Sequence, residues 1–111
     1  ILYTGWVMVR EATGGLMDEM PDPSVMDAVK DIIRRNAEGA HEAHDLRLRI
    51  AGQMTFIEFH LIVNGDMPVS EAHDICDRIE TQLKAHFNGA AFVSIHVEPE
   101  DKAKHEGIVV L

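Results

Sequence analysis

A chain of 111 residues, 46% hydrophobic and 26% charged with both signs present, has the composition of one globular domain, which excludes a disordered or low-complexity tract. The formal net charge of −9 argues against a nucleic-acid partner, since no basic patch is present to displace phosphate counterions, and it favours cations instead. The single cysteine, Cys76, excludes an internal disulfide and a CxxC pair, pointing to a reducing, cytosolic setting in which it packs as a small core residue.

The first apolar run, from Ile1 to Val9, is followed by Arg10 and Glu11. A spanning helix needs ~20 apolar residues, so nine do not cross a bilayer, and without a basic leader the run is no signal peptide. Tyr3 and Trp6 beside a charged flank suit a membrane interface. Two readings stay open: the end of a transmembrane helix whose remainder lies upstream, or an ordinary packing helix. Gly14-Gly15 interrupts this lead-in (1–20), and Pro21-Asp22-Pro23 ends it as a linker. Ser24 is then expected to cap a helix, with Asp27 as the acidic member of a capping box. Val25, Met26, Val29, Ile32 and Ile33 form its apolar stripe, and Gly39 closes it.

Residues 42–51 alternate: Leu46, Leu48 and Ile50 point one way, Asp45, Arg47 and Arg49 the other. Gly52-Gln53 turns this strand into a second, Met54 to Val63, so the pair is a hairpin. Asn64-Gly65-Asp66 leads out of it. Ser70 is expected to cap a helix with the stripe Ala72, Ile75, Cys76, Ile79, Leu83 and Phe87, stopped by Asn88-Gly89. A third strand runs from about Ala91 to Glu98, and residues 100–111 read as a polar, acidic tail. The order α-β-β-α-β predicts an α+β sandwich, a three-stranded sheet with two helices on one face and the other face open.

Four of the seven histidines fall on four separate elements: His44, His60, His73 and His96. In the second strand Ile57, Phe59, Leu61 and Val63 share one parity, so Glu58 and His60 lie opposite; in the third, His96 and Glu98 lie opposite Val93, Ile95 and Val97. Two strands thus send imidazole and carboxylate to the open face. His44 shares parity with Leu46, Leu48 and Ile50 but stands at its strand's leading end. His73 is expected on the first turn of its helix, off the apolar stripe. His41, His86 and His105 lack a nearby acid in a constrained element. Imidazole and carboxylate are ligands for zinc, provided four such groups converge on one point. Spacing alone does not show that convergence.

His-Asp-Leu-Arg at 44–47, an aromatic-rich strand ending in His60, Ala72-His73-Asp74 on a helix, and Ile95-His96-Val97-Glu98-Pro99 together resemble the C-terminal cytoplasmic domain of cation diffusion facilitator transporters. The ordered set, with Asp18 and the Pro-rich turn, covers roughly residues 18–99. The resemblance implies a metallochaperone-like (ferredoxin-like) fold at 21–99, and a homodimer. It also implies a regulatory metal site of His44, His60, His73, His96 and Glu98, on the cytoplasmic side of the inner membrane beneath a zinc/proton antiporter. It favours Ile1 to Val9 as the end of the last transmembrane helix. Glu98 stands where many relatives place Asp, and its longer side chain alters how a metal is bridged. Zinc is the expected ion, with Fe2+, Mn2+, Co2+, Ni2+ and Cd2+ sharing the donor chemistry. A binding module of the same fold with incidental histidines is the rival reading. A small metal-dependent hydrolase ranks last, because the chain has no HExxH pair and no nucleophile setting.

Overall fold

The computed structural model describes residues 21–100. The expected lead-in helix and all but the first residue of the expected tail lie outside them. No helix among the described residues is long and apolar enough to cross a membrane.

The first helix, α1, is Pro23–Asn36. Its cap is not Ser24: Asp22 is the N-cap, and its carboxylate accepts the Ser24 backbone N–H at 3.3 Å. Pro23 therefore belongs to the helix rather than to a linker. At the first helical position proline gives up an N–H that no intrahelical acceptor would have met, and its fixed φ is already helical. Val29, Ile32 and Ile33 are buried as the stripe predicts, with Val25 and Met26 half-buried. Beyond the C-terminus, Arg78 from the second helix donates to the Asn36 carbonyl (Nε, 2.8 Å) and the Glu38 carbonyl (Nη2, 2.6 Å). A guanidinium thus meets carbonyls that the helix leaves without partners.

Gly39 has φ +99°, and a Cβ there would lie 3.1 Å from Ile75 Cδ1. Backbone and packing both demand glycine at this position. Gly39→Ala is expected to destabilise the domain by ~1–2 kcal/mol, the penalty of left-handed backbone for an L side chain. Urea unfolding checks it through a lower midpoint at unchanged slope.

Strands β1 (Glu42–Ala51) and β2 (Met54–Val63) form the expected antiparallel hairpin, with Gly52 at φ +63° in its two-residue turn. The second helix, α2, is Val69–His86. Its cap residue is Pro68, whose carbonyl accepts the N–H groups of Glu71 (3.0 Å) and Ala72 (3.2 Å), so Ser70 sits inside the first turn rather than capping it. Asn88 and Gly89, at φ +54° and +86°, end the helix as expected, and Gly89 donates to the Lys84 carbonyl at 2.8 Å. Strand β3 (Ala91–Pro99) then pairs parallel to β2, giving the order β1-β2-β3.

The core joins Val29, Ile32 and Ile33 of α1 and Ile75, Ile79 and Leu83 of α2 to Ala43, Ile57, Phe59, Leu61 and Val63 of the sheet. These sheet residues share one face, which both helices cover; on the other face Glu42 and Ile62 are fully buried toward one end, while Phe92 is exposed toward the other. At one end of the open face Arg49, Phe56 and Phe92 stand in register, with the Arg49 guanidinium 4.6 Å from the Phe56 ring centre.

One local feature departs from simple alternation. Ala43 is fully buried and Leu46 packs against the same core, although they lie three positions apart. A regular strand would put them on opposite faces. The register shift between His44 and Arg47 resolves this: Asp45 and Leu46 together oppose Phe59, and Asp45 takes φ +55°. It is a β-bulge, one extra residue that resets the strand's parity.

A candidate metal centre on the open sheet face

The bulge corrects the position of His44. By simple alternation it shares a face with Leu46, Leu48 and Ile50. Before the bulge, however, its neighbour Ala43 faces the core, so His44 faces outward. His44, His60 and His96 then pair in register across all three strands, with ring centres 5.4 Å and 5.1 Å apart. One rung of the sheet is thus three imidazoles. Two residues along on the same face, Glu42, Ile62 and Glu98 pair in register, which sets a carboxylate near the imidazoles on each edge strand.

Glu98 binds the rung together. Its Oε1 lies 3.1 Å from His60 Nδ1 and 3.4 Å from His96 Nε2, and its Oε2 lies 4.0 Å from His44 Nε2. A side chain this long spans the rung from the β3 edge. Asp45, carried out by the bulge, adds Oδ2 at 3.6 Å from His60 Nδ1 and 3.9 Å from His44 Nε2. His44, Asp45 and His60 offer three ligand atoms within 4.8 Å of one another. Asp45 is a candidate ligand that the sequence alone did not single out. Its signal was present, since alternation already put it on the outward face, the face of Glu58 and His60.

The donor set and spacing fit a divalent cation. Zinc bonds of ~2.0–2.1 Å in tetrahedral geometry put ligand atoms ~3.4 Å apart, and the imidazole–carboxylate distances above run from 3.1 to 4.0 Å. The ligand atoms of His44, Asp45 and His60 lie within 4.8 Å of one another, so a bound ion would draw them closer together. His44, largely shielded, and Glu98, mostly so, make the inner part of the site, while His96 and Asp45 lie toward solvent. The carboxylates of Asp45 and Glu98 at the rung supply negative charge that a divalent ion offsets.

His73 stands apart from this group, on the second helix. It lies beyond the first turn of α2, exposed, with Nε2 3.2 Å from Asp77 Oδ2 one helical turn on. It borders a groove of about 490 Å³ between α2 and β3, which Glu98, Val97 and Cys76 also line. His41 pairs with Glu100 at 3.0 Å, and the His86 ring stands edge-on to Phe87 at 4.9 Å. His105 lies outside the described residues.

Cys76 is half-buried at the base of that groove. Burial pushes its thiol pKa up from the ordinary value, and the negative charges of Asp77 and Glu80 add to the effect. Alkylation by iodoacetamide at neutral pH is expected to be slower than for a free thiol, since the thiolate is the reactive form. Mass spectrometry of the native and urea-unfolded protein checks this, with unfolding restoring the rate.

Residues 21–100 match the family described as "Cation efflux protein, cytoplasmic domain". Among curated relatives, the uncharacterized transporter sll1263 of Synechocystis is 33% identical over 104 residues, which are 94% of this chain and 33% of that protein. The cation-efflux pump FieF of Pectobacterium atrosepticum is 35% identical over 99 residues, 89% of this chain and 32% of the pump. The chain thus spans about a third of the length of these relatives. Among solved structures, CzrB in its Zn form superposes with a TM-score of 0.71 at 42% identity, covering 80% of this chain and all of that one. The α-β-β-α-β order and the three-stranded sheet are common to both.

Proposed function

Because the chain belongs to the family of cation efflux protein cytoplasmic domains, we propose that it is the regulatory domain of a divalent-cation efflux transporter, on the cytoplasmic side of the inner membrane. It binds zinc, or a cation of like chemistry, and dimerises to control transport by proton antiport in the membrane domain. The observation that carries this reading is the His44–His60–His96 rung with Glu98 bridging it and Asp45 brought in by the bulge. The proposed ligands are His44, His60, His96 and Glu98, joined by Asp45. His73, from the α2 side of the groove that Glu98 borders, completes the set in the closed dimer. The Zn form of the similar CzrB domain supports zinc. The match to sequences three times as long supports attachment to upstream membrane spans.

A bound cation supplies positive charge and fixed coordination geometry. The chain's residues do the remainder. Glu98 and Asp45 repel one another across the site until that charge arrives, and the three strands hold the imidazoles at fixed separation. The closed dimer is favoured only by the ion's differential affinity for it. A shift from 1:99 to 99:1 takes ~5.5 kcal/mol. Sedimentation with zinc and then with a chelator is the test. Zinc is expected to move the protein to the dimer and to raise the unfolding free energy by ~2.7 kcal/mol at a hundredfold excess over Kd. An assembly state and melting curve indifferent to both additions would refute the regulatory reading and favour a binding module with incidental histidines.

A further inference from the structure

Glu42 begins β1 two residues before His44, on the same face, and its side chain is fully buried. A carboxylate withdrawn from water is costly unless it is hydrogen-bonded or paired. Its Oε1 lies 2.7 Å from His44 Nδ1, the length of a charge-assisted hydrogen bond. The other ring nitrogen of His44, Nε2, is the one that approaches Asp45 Oδ2 and Glu98 Oε2, at 3.9 and 4.0 Å. One nitrogen thus meets a buried acid, and the other faces the candidate centre.

A neutral imidazole carries its proton on one nitrogen only, and only the bare nitrogen can bind a metal. An ionised carboxylate accepts hydrogen bonds and donates none. We propose that Glu42 is a positioning residue of the candidate metal centre: it accepts the Nδ1–H of His44 and so leaves Nε2 bare and aimed at Asp45 and Glu98. The proposal rests on reading this rung as a metal site, and it adds a residue that touches no ion itself. The backbone supports the arrangement. Glu42 pairs in register with Ile62 and His44 with His60, so the acid and the ring are anchored two residues apart on one face of the strand, ahead of the bulge. With a His44 side chain only 12% exposed, the ring has little room to turn away. Partners of this kind fix ring orientation and raise ligand basicity, and their loss typically costs 10–100-fold in metal affinity.

Long-range 1H–15N NMR of the metal-free protein at about pH 8.5, where neutral imidazole prevails, reads the tautomer directly. His44 is expected to be protonated at Nδ1 and bare at Nε2. In Glu42→Met the Nδ1–H preference is expected to be lost. Calorimetric zinc titration is then expected to give a Kd ~10–100-fold higher, with the circular dichroism spectrum unchanged. A proton on Nε2 in the wild type overturns the proposal. So does a Glu42→Met protein with unchanged tautomer, or with zinc affinity within threefold of wild type. If Glu42→Met does not fold, the wild-type tautomer still decides. A wild type that binds no zinc would sink the metal-centre reading, while its tautomer spectrum would separately report whether Glu42 orients His44.

Discussion

Replacing His60 and His96 together by alanine is expected to reduce zinc binding to background in a calorimetric titration. A four-ligand zinc site is worth ~10–16 kcal/mol near neutral pH, so each ligand accounts for roughly 10²–10³ in affinity. His60 occupies the middle of the rung, its Nδ1 3.1 Å from Glu98 and 3.6 Å from Asp45, so its loss separates the two carboxylates from the imidazoles. His96 anchors the other side of Glu98 at 3.4 Å. Both side chains are partly exposed, and their truncation opens no core cavity, so the melting temperature of the metal-free protein should change little. A double variant that binds zinc within tenfold of wild type would remove these residues from the site. Ligation requires neutral imidazoles, so wild-type affinity should also fall as the solution is acidified.

Phe59→Ala is expected to have the largest effect on stability, ~3–5 kcal/mol in urea unfolding. Phe59 is fully buried and sits on the central strand, between the sheet and both helices. Its backbone also opposes the two bulge residues, Asp45 and Leu46, in the β1–β2 register. Net stabilities of small domains are ~5–15 kcal/mol, so this truncation takes a large share of the total. Because the bulge is what turns His44 and Asp45 toward the site, the variant should also bind zinc more weakly at temperatures where it remains folded. A destabilisation below ~1 kcal/mol would mean that the core at Phe59 collapses around the gap.

Most of the architecture was legible from local periodicity. The stripes at Val29, Ile32 and Ile33 and at Ala72, Ile75, Ile79 and Leu83 describe faces that must be buried, and both are buried. Alternation along Met54 to Val63 gave that strand its limits and its two faces. The helix starts were less legible, because capping is set by backbone geometry at one residue. Asp22 and Pro68 hold those positions, while Ser24, no better a cap former by type than Asp22, and Ser70 are each the second residue of their helix.

The candidate site divides in the same way. His60, His96 and Glu98 were placed on one open face by parity alone, since each lies in an unbroken strand where side-chain direction follows from counting. His44 was not, because an alternating pattern carries no sign of an inserted residue when both sides of the insertion look regular. Only packing reveals it: Ala43 and Leu46 must both reach the core, and β1 meets that demand with a bulge at Asp45. The sequence by itself thus determined the elements, the buried faces and the donor types. The tertiary structure alone decided that three imidazoles form one rung and that Asp45 and Glu98 close on it, because ligand convergence depends on strand register. Register is fixed by contacts between segments far apart in the chain.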